Sequence, residues 1–168
     1  MFFVPVIPKL RKAFTMELRS RINAAMKQAM KDKSTERLST IRLINAAIKD
    51  RDIAARTEGK ENGVADDEVL AILAKMTKQR QESAKTYEEA GRLDLSEREL
   101  SEIKVIEEFL PTQLSEDEIN SAVESVIKEV GASSIRDMGK VMGALKSKYA
   151  GQMDFGVVGS LVKNNLSS

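Results

Sequence analysis

Residues 135–166 read IRDMGKVMGALKSKYAGQMDFGVVGSLVKNNL. Ile135, Met138, Met142, Leu145 and Tyr149 recur at alternating spacings of three and four, which places them on one face of an α-helix. Gly151 is a natural stop for that helix, and a second apolar helix is expected from about Phe155 to Leu166. Gly139 and Gly143 stand four apart, where another backbone could approach closely, whether a neighbouring helix or a ligand. The stretch offers lysines and glycines but no residue set suited to covalent chemistry. It reads as a small docking module made of packed helices.

The pattern upstream is also helical. Ser115 followed by Glu118 is a capping-box signature, opening a helix through Ile119, Val123, Val126, Ile127 and Val130 that Gly131 ends. Ser133 or Ser134 caps the helix of the opening stretch. Before Pro111, the spacing predicts four further helices. The first carries Leu18, Ile22, Ala25, Met26 and Ala29; the second runs over 35–57 with Ile41, Ile44, Ile48 and Ala55 on one face. The third opens at Asp66 and Asp67, whose charges suit a helix N-terminus, and ends at Gly91. The fourth carries Leu100, Ile103, Ile106 and Leu110 on its apolar face. No alternating strand pattern competes. The expected fold is all-α, with an N-terminal lobe of long antiparallel helices over residues 16–110 and a C-terminal three-helix bundle over 115–168.

Composition agrees with this reading. The chain has 168 residues, 42% hydrophobic but only 4% aromatic, so its core is aliphatic. It has 3 prolines and 9 glycines, few for a turn-rich β protein. Cysteine and histidine are both absent. That removes disulfides, a thiolate nucleophile and the usual acid–base residue, and a zinc site would rest on carboxylates alone. There is no P-loop and no dinucleotide-binding glycine pattern, so neither a metal nor a cofactor is expected. No apolar run approaches the roughly 18 residues of a membrane span. The net charge of +1 conceals a strong asymmetry: +8 over residues 1–60, −9 over 61–120 and +2 over 121–168. A polyanion would favour the two ends over the middle.

Residues 1–15, MFFVPVIPKLRKAFT, place apolar residues before basic ones, the reverse of a secretory signal. Pro5 and Pro8 discourage a helix there. This segment is expected to be a disordered or non-native extension ahead of a start at Met16. The compartment expected is the cytoplasm; the basic, acid-free start leaves an organelle as the alternative.

No catalytic residues are assigned. Ser133-Ser134 is explained by helix capping, and the paired acids Asp66-Asp67 and Glu107-Glu108 diverge by about 100° on a helix. A nucleic-acid surface is the stronger candidate. On a regular helix, Arg136, Lys140, Gly143 and Ser147 lie within about 60° of one another, away from the apolar stripe. Lys146, Lys148 and Lys163 extend the positive character. Arg42, Lys49 and Arg56, seven apart, form a second basic row. Tyr149 belongs to the apolar stripe, so binding would read backbone and shape rather than stack bases.

Three stretches carry a family resemblance: TIRLINAAIKDRDI at 40–53, KMTKQRQESAKTYEEAGRLDLSERELSEIKVIEEFLPTQLSEDE at 75–118 and GASSIRDMGKVMGALKSKYAG at 131–151. They resemble stand-alone members of the GatB/YqeY family, and the resemblance spans residues 16–168. Residues 115–168 are similar to the tail of the B subunit of tRNA-dependent amidotransferases, in which the tail is implicated in contacting tRNA. The resemblance implies a non-catalytic accessory module that binds tRNA or a tRNA-handling enzyme. A carbon–nitrogen ligase label would be inherited from the larger assembly, since the catalytic cradle and the glutaminase have no counterpart here. The alternative is a protein–protein interaction module with no nucleic-acid role.

Overall fold

A computed structural model describes residues 8–167, with side chains from residue 18. Every regular element among the described residues is helical: α1 (Pro8–Lys31), α2 (Thr35–Thr57), α3 (Asp66–Glu89), α4 (Leu93–Glu107), α5 (Glu116–Val130), a 3-10 turn (Ile135–Asp137), α6 (Met138–Lys148) and α7 (Phe155–Ser167). The chain divides after Phe109 into two compact units, with α1–α4 in the first and α5–α7 in the second.

In the first unit α1 pairs with α2, and α3 with α4. Ile22, Ile41, Ile44, Val69, Leu73 and Ile106 have no exposed surface. Each such side chain contributes about 1.5–3 kcal/mol through burial. Two expectations need correction. Pro8 does not exclude a helix: it stands at the first position of α1, where its missing N–H has no intrahelical partner to lose. Leu100 is not a core residue of α4 but 48% exposed, because the buried face turns through Ser96, Ile103 and Ile106. Of the disordered or non-native extension expected over residues 1–15, residues 8–15 lie in α1, and residues 1–7 lie outside the described residues.

A polar clasp ties α1, α2 and the following loop together. The Arg19 guanidinium donates to both carboxylate oxygens of Asp52, at 2.9 and 2.7 Å, and to the carbonyl of Val64 at 2.9 Å. The Val64 N–H donates to Asp52 Oδ1 at 2.8 Å. The loop can turn in because Gly63 has φ +84°, where only glycine avoids strain. The hydrogen bonds from Arg19 are the main force holding the Asp52 carboxyl below its ordinary pKa of 3.8; the Val64 N–H and the Arg19 charge add to it. A depressed carboxylate pKa adds stability that is fully present above the unfolded value and is lost as pH falls through the folded one. Stability should therefore decline below about pH 4, and Asp52→Asn should flatten that decline. Urea titrations of both proteins across pH 2–5 would measure it; parallel curves would contradict it.

In the second unit Val123, Val126, Val141, Leu145, Val158 and Val162 form the core with Ala122, Met153 and Leu166. The capping box forms as expected: Ser115 Oγ accepts from the Glu118 N–H at 3.2 Å, and Glu118 Oε2 from the Ser115 N–H at 2.8 Å. Gly131 closes α5 with φ +67°. The segment before α5 is strapped to the end of α6. The Leu114 N–H donates to the Gln152 carbonyl at 2.9 Å, and Gln113 Nε2 to the Gly151 carbonyl at 2.6 Å.

The apolar stripe of the opening stretch is rotated from its expected position. Val141 and Leu145 have no exposed surface, whereas Ile135 is 47% exposed. Met138, Met142 and Tyr149 are only half-buried, packed at the edge of the core. The 3-10 turn over Ile135–Asp137 takes Ile135 and Arg136 out of register with α6, and within α6 the buried face centres on Val141 and Leu145 rather than on the methionines. Asp137 Oδ2 accepts from the N–H groups of Ser133 and Ser134, at 3.0 and 3.3 Å. Those bonds hold the Asp137 carboxyl below its ordinary value, with a smaller contribution from Lys140.

Candidate nucleic-acid interface

Two fixed points orient α6 within its unit. Lys148 is ion-paired with Glu129 of α5, so that flank of α6 faces α5. A methyl placed on Gly159 of α7 would meet the Cε atoms of Met142 and Met138 at 3.8 and 3.9 Å, so the methionine flank faces α7. At about 100° per residue, the surface then turns outward from Met142 through Lys146, Gly139 and Gly143 to Ser147 and Lys140. On α7, Lys163 follows Gly159 by one turn and stands on the flank that faces α6.

The result is a shoulder along α6 and α7. The half-buried Met138 and Met142 lie beneath it, Gly139 and Gly143 leave it bare, and Lys140, Lys146 and Lys163 are exposed. Among the described residues none of these three lysines is in an ion pair.

The sequence-derived set is therefore regrouped. Lys140, Gly143, Lys146 and Lys163 belong to the shoulder. Arg136 is exposed but sits on the 3-10 turn, so the 60° sector expected for it on a regular helix does not apply. Lys148 lies on the opposite flank and is neutralised by Glu129. Arg42, Lys49 and Arg56 are exposed on α2 in the first unit.

The glycines are the most informative part of this surface. Around a methyl group built on Gly139 or Gly143, nothing lies within 4 Å. Of the two explanations open in the sequence, tight packing against a neighbouring helix inside the bundle finds no support among the described residues. Glycine in a helix interior costs about 1 kcal/mol relative to alanine, and here no close internal packing offsets that cost. What the arrangement can do is admit a bulky anionic backbone close to the helix while ammonium groups meet its charges.

In the first unit, a cleft of about 750 Å³ is lined by Ser34, Arg37, Ser39, Thr40, Asp94, Glu97, Ser101 and Glu102, among others. With no imidazole or thiol anywhere in the chain, its hydroxyls lack the usual base for activation.

The chain is similar to known proteins along nearly its whole length. It is 30% identical over 135 residues, covering 79% of this chain and 71% of the relative, to the protein named "Altered inheritance of mitochondria protein 41, mitochondrial" from Pyrenophora tritici-repentis. Identity to the protein of that name from Clavispora lusitaniae is 28%, over 90% of this chain and 86% of the relative. For that of Lachancea thermotolerans it is 33%, over 65% and 57%. The family described as "Yqey-like protein" matches residues 19–166, a span that takes in both α2 and the α6–α7 shoulder. With all but the ends of the chain inside that match, this protein belongs to the YqeY-like family.

Proposed function

We propose that this protein is a non-catalytic accessory module that binds tRNA, or an enzyme handling tRNA, through the α6–α7 shoulder. The observation that carries the reading is the open space over Gly139 and Gly143 beside three exposed lysines. The resemblance of residues 115–168 to the amidotransferase tail supplies the ligand class. Any carbon–nitrogen ligase activity would belong to a larger assembly. The names of the relatives place those proteins in mitochondria, which favours an organelle over the cytoplasm for this chain as well.

A Gly139→Ala/Gly143→Ala variant tests the reading. Helix propensity alone should stabilise it by up to about 1 kcal/mol per site. Affinity for tRNA should nevertheless fall, because the methyl groups occupy the space the backbone needs. Thermal melting and fluorescence anisotropy with a tRNA pool would measure the two effects. Greater stability with unchanged affinity would remove the glycines from the binding surface and favour the protein–protein reading.

A further inference from the structure

We infer that the outward face of α2 is a second phosphodiester-binding surface, carried by Arg42, Lys49 and Arg56. It shares a ligand class with the reading above but none of its residues. The three are exposed and seven apart, so they form a line of cations about 10.5 Å apart at 1.5 Å rise per residue.

Their neighbours show that this line is unusual. The other described arginines of the first unit are all engaged. Arg19 holds Asp52, Arg37 holds Glu108, and Arg51 holds Glu58 and Glu68. Arg80 and Arg98 hold Glu102, Arg92 holds Asp94, and Arg21 donates to the Glu108 carbonyl. Arg42 and Arg56 have no such partner among the described residues, and they share one helix face with Lys49 between them. Asp52, one turn before Arg56, attracts it only at longer range, because its oxygens are bonded to Arg19 and the Val64 N–H. Asp50 follows Lys49 in sequence and so points about 100° away.

The flank of the line supplies further polar groups. A small cleft on the α1–α2 seam places Lys49 beside Asn23 and Asn45, with the Arg19–Asp52 pair also in its lining. The Asn45 amide donates to Met26 Sδ at 3.4 Å, a weak acceptor that a phosphate oxygen would outcompete.

The ligand that fits is a regular series of phosphates rather than a lipid surface. Leu43 and Ile53 are half-exposed near the line, but the main apolar face of α2, Ile41, Ile44 and Ile48, is buried in the core. Two half-exposed side chains offer little area for insertion into lipid. An acidic protein partner would ordinarily be met by an apolar centre, which the line lacks. Cations with flanking amide donors match the way proteins hold a nucleic-acid backbone.

The test uses the full chain carrying Arg42→Glu/Arg56→Glu. Binding to a tRNA pool is followed by anisotropy over a salt series, and binding to vesicles containing anionic phospholipid by flotation. The melting curve should be unchanged, since both side chains are exposed. Affinity for tRNA at low salt should fall about tenfold or more, and the log–log salt slope should shrink by about 0.7–0.9 for every phosphate the variant no longer neutralises. An Arg42→Lys/Arg56→Lys variant should recover most of the binding. Unchanged tRNA affinity in the folded Glu variant would overturn the inference. So would loss of vesicle binding alone, which would assign the face to lipid. A parallel Lys146→Glu/Lys163→Glu variant separates the two surfaces: if it alone weakens binding, the α2 face is excluded and the shoulder stands. If only the α2 variant weakens binding, the shoulder is excluded and the α2 face stands.

Discussion

Leu145→Ala should destabilise the second unit by about 2–5 kcal/mol, the cost of a cavity at a fully buried leucine. Leu145 has no exposed surface and sits among Val123, Val126, Val141, Val158 and Val162, a small aliphatic core without a large aromatic at its centre. A core of this size supplies only a few kcal/mol in total, so the substitution should leave α5–α7 largely unfolded at physiological temperature. Hydrogen exchange would localise the loss, with amides of α5, α6 and α7 losing protection while those of α2 and α3 keep it. A loss below about 1 kcal/mol is outside the range for a cavity of this kind and would mean that Leu145 is not central to the core.

Gly63→Ala should be the most damaging single methyl addition in the first unit. At φ +84° the new side chain brings about 1–3 kcal/mol of backbone strain. The methyl would also lie 2.7 Å from Asp52 Oδ1 and 3.3 Å from Arg19 Nη2, so the clasp must open to admit it. Gly59→Ala is the internal control. It has nearly the same φ, +85°, but nothing within 4 Å of the added methyl. Both variants carry the strain and only one breaks the ion pair, so the difference in their urea midpoints isolates the clasp. Gly63→Ala should also lose the acid dependence assigned to Asp52, whereas Gly59→Ala keeps it. Equal destabilisation of the two would show that the Arg19–Asp52 geometry contributes nothing measurable.

The helices were legible in the sequence because their signals are local. Apolar spacing marked α2 and α5, the Ser115–Glu118 box marked the start of α5, and Gly131 its end. Features that failed to show depend on partners far along the chain. The Arg19–Asp52 pair joins residues 33 apart, and the strap from Gln113 to Gly151 joins residues 38 apart; neither leaves a periodic trace. The exposure of Ile135 is not visible when a regular helix is projected back through it, because the chain there forms a tighter turn with a different residue rotation.

The candidate surface was only partly legible for the same reason. Charge and spacing identified the lysines of α6, but not which of them has an acid opposite. Lys148 reads like Lys146 in sequence, yet Glu129 reaches one and no described acid reaches the other. That Arg42 and Arg56 form no salt bridge among the described residues is likewise a property of what lies around them, not of α2 itself.

The central claim, that the α6–α7 shoulder holds a tRNA backbone, is tested most directly by the salt dependence of tRNA binding. The comparison is between wild type and a folded Lys140→Glu/Lys146→Glu/Lys163→Glu variant. Wild-type affinity should fall linearly on a log–log plot as bound counterions are released. The variant should bind more weakly, with a slope reduced by about 0.7–0.9 for each phosphate that its side chains no longer neutralise. An unchanged slope and affinity in the variant, or no binding by the wild type even at low salt, would contradict the account.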